Sequence, residues 1–358
     1  MILDLLGQAA TFVAPTVHHL PANPDTCYWG YIDREQRPCL EVNDGDLIAV
    51  EAITHHAGDA PDLLMDDGIR AIWSSIAEDQ RGPGVHILTG PIHVRGAEPG
   101  DTLAVRIVSM EPRMAYGSNC AANWGLFYSE FGKERITIYG LDDPASGVFG
   151  STASPLFGFD FTARPLYDIP GVISEPDPGA RMAFGRSVRV PVRPHFGVMG
   201  VAPAELGRLS SIPPGVFGGN VDNWRVGPGA IMAYPVSVPG ANLYIGDPHF
   251  AQGDGEICGT AIEASLNATI QVFVVKGFGA RSPLLETSSH WFTHGFGDTL
   301  DEAMRQAAGE MLWLMREHFD LSADDAYSLA SVAVDLGVTQ VVDGKVGCHA
   351  GLDRSIFA

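Results

Sequence analysis

The chain has 358 residues, enough for one large core or two closely packed subdomains, and its 46% hydrophobic and 18% charged content excludes a disordered chain. A net charge of -21 repels phosphate backbones and anionic lipid headgroups, so no nucleic acid and no membrane partner is expected. No apolar run approaches the ~20 residues that cross a bilayer, and five scattered cysteines without CxxC spacing exclude a disulfide framework, so a reducing cytoplasm is the expected location.

Residues 1–19 include Asp4 and lack the basic start and small-residue cleavage site of a secretory signal, so no export is expected. Residues 46–54 read as a strand, with β-branched residues, period-two apolar positions and the turn Asn43-Asp44-Gly45 before it. An amphipathic segment follows at 61–80, then a strand at 102–110 after the turn Glu98-Pro99-Gly100-Asp101. Residues 139–186, rich in Gly, Pro and Phe with little periodicity, read as an irregular connection. Strands are expected at 187–193 and 268–276. A helix opens at Thr299, with Glu302 at capping-box spacing, and aligns Met304, Ala307, Ala308, Met311, Leu312, Met315 and Phe319 on one face, a core stripe. Ser322 and Asp325 open a second helix that runs to about Leu336, where Gly337 stops it. With 42 Gly and 25 Pro as punctuation, the expectation is a mainly β protein with a sandwich or barrel-type core and a smaller α+β C-terminal part. It forms a single unit over 1–358, divisible into a β-rich 1–138, the connection 139–186, a catalytic β region 187–290 and the C-terminal 291–358.

Chemistry concentrates in Gly246-Asp247-Pro248-His249-Phe250-Ala251-Gln252-Gly253-Asp254-Gly255-Glu256. Its glycines permit tight turns on which Asp247, His249, Asp254 and Glu256 can converge on a cation; a solvated hairpin with turn-capping carboxylates is the plain alternative. Upstream, Gly218-Gly219-Asn220-Val221-Asp222-Asn223 offers Asp222 as a ligand and Asn220 as a partner for a substrate amide. His195 stands at a strand end, where a lone histidine is more often structural.

Taken in order, His195-Phe196-Gly197-Val198-Met199-Gly200-Val201-Ala202-Pro203, Ile212-Pro213-Pro214-Gly215, Gly218-Gly219-Asn220-Val221-Asp222-Asn223 and the run from Gly246 to Glu263 resemble the successive blocks of the acetamidase/formamidase family. Stretches from Gly90 to Asp101 and from Asp324 to Asp343 are similar as well, so the likeness spans most of the chain. It implies a β-sandwich homo-oligomer that hydrolyses a small linear amide to ammonia and a carboxylate, with a divalent metal, zinc, as cofactor. On this reading His249, Asp222, His195 and Asp247 are the metal ligands, Glu256 and Asp254 the catalytic acids, and Asn220 and Gln252 orient the amide. Pro248 and Phe250 stand where the family has smaller residues, and the segment from Tyr116 to Phe127 departs from it, which leaves the acyl group open to a larger or aromatic one.

Two rivals compete with that reading. One is a Cys258 nucleophile beside Glu256 with Lys276 downstream, against the commoner reading of a small buried cysteine. The other is a non-catalytic β-sandwich whose acidic loops hold structural calcium. His55 and His56 lie beyond a strand end where they can join a pocket; His18, His19 and His349 read as loop residues.

Overall fold

A computed structural model of the chain describes residues 5, 15–143, 152–168 and 172–357. Period-two patterning produces its central strands. In Leu266–Val275, buried and half-buried residues alternate along most of the strand, as on a sheet with one face on a core. The expected strands at 46–54, 102–110 and 268–276 appear as Leu47–Ala52, Thr102–Pro112 and Leu266–Val275.

Two large sheets result. In the nine-stranded sheet, Leu266–Val275 lies between Leu47–Ala52 and Thr102–Pro112, and the order continues through Ile231–Pro235, Leu284–Glu286, His290–Gly297 and Val346–Asp353 to an edge at Val334–Gln340. In the eleven-stranded sheet, Leu243–Ala251 is wholly buried and pairs with His195–Gly200, Ile262–Glu263 and Ile87–Val94. One apolar core draws on both sheets, with Val50, Val105 and Ile270 from the first and Phe196, Ile245 and Phe250 from the second. This is the expected sandwich.

The helices are α1 (Pro61–Leu64), α2 (Asp67–Ser75), α3 (Leu300–His318) and α4 (Ala323–Ala333). The amphipathic segment at 61–80 supplies α1 and α2, the latter capped by Asp66 accepting from the Ile69 N–H at 2.8 Å. Thr299 caps α3 by accepting from the Glu302 N–H, and Ser322 caps α4 by accepting from the Asp325 N–H. The stripe residues Ala307, Met311 and Met315 are fully buried against Trp291, Cys348 and Leu352 at the end of the nine-stranded sheet.

Three expectations change. The chain leaves α4 at Ala333 and enters the strand Val334–Gln340 directly, so Leu336 and Gly337 are strand residues. Gly337 is there for close approach, since a Cβ on it would come within 2.5 Å of the His349 ring. The strand expected at 187–193 shrinks to Val190–Pro191, because Pro191 and Pro194 remove ladder donors. Within 139–186, Thr152–Asp160 forms a strand antiparallel to Arg135–Leu141; residues 144–151 and 169–171 of that stretch, and most of 1–14, lie outside the described residues.

Candidate metal centre and substrate cavity

Strand register builds the first part of the site. On the buried strand Leu243–Ala251, His249 pairs with His195 on one side and with Glu263 on the other, so three side chains stand in a row on one face. Asp222 follows the strand Gly218–Asn220, and its N–H donates to the Gly197 carbonyl at 3.2 Å. Gly197 has to be glycine, because a Cβ there would come within 2.6 Å of Asp222 Oδ1, Asp247 Oδ2 and His249 Cε1. Three of the six non-glycine residues at positive φ among those described are Asp222 (51°), Asp247 (48°) and Glu256 (45°). Each conformation costs about 1–3 kcal/mol and persists only where the surrounding structure imposes it.

Other parts arrive from elsewhere in the chain. The loop before Glu256 is zipped to the C-terminal part: the Gly255 N–H donates to the Thr339 carbonyl at 2.9 Å and the Val341 N–H to the Gly255 carbonyl at 3.1 Å. This contact sets Asp343 beside Glu256, on a turn where the Val342 and Asp343 N–H groups donate to the Gln340 carboxamide. From the N-terminal region, His55 Nδ1 stands 3.8 Å from Asp247 Oδ1, and His86 Nε2 3.7 Å from Asp247 Oδ2.

The ring contacts hold the histidines in place. His195 Nδ1–H donates to the Arg193 carbonyl at 2.6 Å, and its Nε2 stands 3.0 Å from Gln252 Oε1 and 3.1 Å from His249 Nδ1. His249 Nε2 lies 3.1 Å from Asp247 Oδ2 and 3.2 Å from Glu263 Oε2, without a hydrogen-bond partner of good geometry. Burial and the neighbouring His249 push His195 down to about 3, so it stays neutral. His86 likewise donates Nδ1–H to the Ser211 carbonyl at 3.1 Å and turns Nε2 toward Asp247.

The carboxylates are crowded. Burial, then repulsion from Asp247, raises Asp222 to about 7; burial, then the charge of Asp222, holds Glu256 and Asp343 well above the usual carboxylate range. Asp247 goes the other way: despite burial, the facing imidazoles, His249 first, hold it well below. Burial would also discharge His249, but Glu263 and Asp247 outweigh it and raise the ring well above its ordinary value.

These groups fit a cation. His55 Nδ1, Asn220 Oδ1, both Asp222 carboxylate oxygens, Asp247 Oδ1, His249 Nε2, Glu263 Oε2 and Asp343 Oδ2 are buried without a hydrogen-bond partner. Acceptors that face acceptors in a desolvated site need positive charge between them. Four overlapping sets bring three ligand atoms within 4.8 Å of one another: His55, His86 and Asp247; Asp222, Asp247 and His249; His249, Glu256 and Glu263; and Asp222, Glu256 and Asp343. Neutral imidazoles whose second nitrogen is tied to a carbonyl or another ring are the form in which histidine ligates metals. Mixed imidazole and carboxylate donors suit zinc better than calcium, which takes oxygen ligands.

The cluster lies at a cavity of 370 Å³, whose lining also includes Trp124, Val85, Ile212 and Val342. Of the sequence-derived candidates, Asp222, Asp247, Glu256 and Asn220 line it, and His249 lies buried behind them with its Nε2 among the unpartnered atoms. His195 belongs to the cluster as the support of His249, both ring nitrogens being engaged by protein. Gln252 is also internal: its Oε1 flanks His195 Nε2 at 3.0 Å, and its Nε2 donates to the carbonyls of Asp222 (2.7 Å) and Thr339 (3.3 Å). Asp254 turns away to a half-exposed corner, where it pairs with Arg225 at 3.0 Å and accepts from Trp224 Nε1 at 2.8 Å. Phe250 is fully buried in the core and does not line the cavity. Cys258 also stands off the lining; its sulfur accepts from the Asn119 amide at 3.2 Å, and Lys276 is committed to Asp101 and the Gly96 carbonyl, so no Cys/Glu/Lys arrangement forms. His349, read as a loop residue, is a buried residue of the strand Val346–Asp353.

His86, Glu263 and Asp343 are site residues that spacing did not single out. Glu263 and Asp343 fell inside resembling blocks without an assigned role, and His86 had no signal beyond preceding a strand.

A cluster of buried imidazoles and carboxylates that could hold a cation, lining a cavity in a β-sandwich, marks a protein with a small-molecule pocket. Comparison gives this class a family: the acetamidase/formamidase model matches residues 37–207 and 204–358, and the chain belongs to that family. An acetamidase of Mycolicibacterium smegmatis is 32% identical over 233 residues, covering 54% of each chain. Among solved structures, an acetamidase from Yersinia enterocolitica superposes with TM-score 0.77 at 26% identity, covering 99% of this chain and 97% of that one. An acetamidase from Bacillus halodurans gives 0.73 at 26% identity, covering 95% and 98%. The matches span 54%, 61% and 56% of the length of three curated relatives, little more than half.

Proposed function

We propose that this chain hydrolyses a linear carboxamide to ammonia and a carboxylate, using water activated at the buried cluster. The observation that supports this most is the convergence of unpartnered acceptor atoms at a cavity, in a chain of a family whose members are named for such amidases.

His55, His86 and Asp247 would hold a divalent cation on one side, and Asp222 and His249 share Asp247 on the other. Such a cation, zinc by its donor set, would supply Lewis acidity toward the amide carbonyl and toward water. Every other task falls to the chain. Glu256 takes the proton of the attacking water and returns it to the nitrogen as the C–N bond breaks; the upward push on its carboxyl is the direction this work requires. Asn220 Oδ1, buried and without a donor, accepts from the substrate amide N–H. His195 and Gln252 keep His249 and the Asp222 loop in place. Neither Asp254 nor Cys258 takes part.

A cytoplasmic homo-oligomer is the state proposed for the working enzyme. Among the described residues no helix is long and apolar enough to cross a membrane.

The test is ammonia release from formamide, acetamide and larger amides, before and after exhaustive chelation, with metal analysis of the purified protein. Turnover that needs a bound divalent metal is expected. Undiminished turnover by metal-free protein, or none from any amide by metal-loaded protein, would refute the proposal.

A further inference from the structure

Besides the cluster, the cavity lining includes the apolar side chains of Trp124, Val85, Ile212 and Val342, none of which has a part in proton transfer or cation binding. At 370 Å³ the space reaches the ~300–1,000 Å³ range of pockets that enclose drug-sized ligands. Acetamide, with four heavy atoms, fills roughly 100 Å³ when each atom is allowed about the ~30 Å³ of a liquid water. The remaining space is bounded in part by these apolar side chains.

Trp124 is held in this lining by backbone contacts. Gly259, at φ 93°, lets the indole lie against the main chain; a Cβ there would come within 2.2 Å of Trp124 Cδ1. The next residue, Gly125, sits so close to the 257–258 backbone that its own Cβ would fall 2.8 Å from the Ile257 carbonyl oxygen. The Leu126 N–H donates to that carbonyl at 2.8 Å. An indole that lines the cavity, packed against Gly259 yet 46% exposed, offers apolar ring surface to a ligand.

We infer that this apolar lining is an acyl-binding subsite, and that the substrate class is carboxamides with a bulky apolar or aromatic acyl group stacked on Trp124. This rests on the amidase reading and names its substrate. The amide group lies at the cluster, within reach of Asn220 and Glu256, while the acyl group displaces water from Trp124, Ile212 and Val342. Phe250, the sequence departure that first suggested a larger substrate, has no part in it, because it is core.

The experiment compares kcat/KM for phenylacetamide and acetamide on the metal-loaded protein, in wild type, Trp124→Ala and Trp124→Phe. Phenylacetamide should exceed acetamide by roughly tenfold or more, the discrimination a matched apolar pocket gives. Trp124→Ala should lower that ratio about tenfold, and Trp124→Phe, which keeps a ring, should recover most of it. Acetamide preferred by the wild type, or a ratio unmoved by Trp124→Ala, overturns the subsite while leaving amide hydrolysis standing. If no amide is turned over, the hydrolysis reading falls and calorimetric binding still decides the subsite. Phenylacetamide bound roughly tenfold more weakly by Trp124→Ala supports it, and equal binding by both proteins overturns it.

Discussion

Glu256 illustrates how a residue's chemistry depends on where the backbone holds it. Its φ of 45° aims the carboxyl into a cluster already occupied by Asp222 and Asp343, where burial and those two charges keep it ready to hold a proton. Glu256→Gln keeps the shape and removes the proton carrier. We expect kcat to fall by about 10²–10⁴ with bound metal retained, measured by ammonia release together with metal analysis. Metal lost in step with activity would make Glu256 a ligand instead. At this scale spacing offered Asp247, His249, Asp254 and Glu256 as a converging set and Asp222 as a separate ligand, each in a glycine-rich run; the structure brings Asp222, Asp247, His249 and Glu256 into one cluster. Asp254, two residues from Glu256, instead turns to Arg225, because the positive φ of Gly255 and Glu256 breaks the alternation that would put both acids on one side, and sequence does not show that break.

At the scale of elements, the site depends on strands meeting in register. Gly197 lies on the strand that pairs with the cluster strand, between the paired Phe196 and Val198, and its bare Cα leaves the space in which Asp222, Asp247 and His249 meet. Gly197→Ala should destabilise the fold by about 1–3 kcal/mol as an overpacked site. It should also weaken metal binding by roughly 10–100-fold through displaced ligands, read by thermal unfolding of the metal-free protein and by metal titration. Unchanged metal affinity would show that the ligand cradle does not need the space. The helical caps at Thr299 and Ser322 were legible because capping is local. The end of α4 was not: a chain rich in Val and Leu after Ala333 suits helix or strand by pattern, and the open edge beside Val346–Asp353 decided for strand.

Over the whole molecule, the cluster sets how stability responds to pH. In the metal-free protein Asp222 titrates at about 7, and Glu256, Asp343 and His249 are also shifted upward, so the folded state binds protons that the unfolded chain has released. Groups raised on folding contribute stability below their unfolded pKa and lose it as pH rises through the folded one. The buried His55, His86 and His195 are shifted downward and act oppositely, but their effect is complete once the unfolded imidazoles, near ~6.5, have titrated. From pH 7 to 8.5 the metal-free protein should therefore lose Tm with rising pH. The metal-loaded protein should resist that loss, because a cation replaces the protons. A metal-free Tm that climbs across this window would contradict the cluster's electrostatics.

By itself the sequence determined the sandwich class, the capped C-terminal helices, the family likeness and the carboxylates and histidines of the glycine-rich loops. These follow from signals within a few residues of one another: period, caps, turn chemistry and motif blocks. Only the tertiary structure decided that His55 and His86 face Asp247, that the zipper between Gly255 and Thr339 brings Asp343 to Glu256, and that Trp124 lines the same cavity. The reason is physical: each of those neighbours is made by strand pairing or backbone contact between distant segments. The free energy that selects such pairings comes from burying the shared core, which no local pattern records.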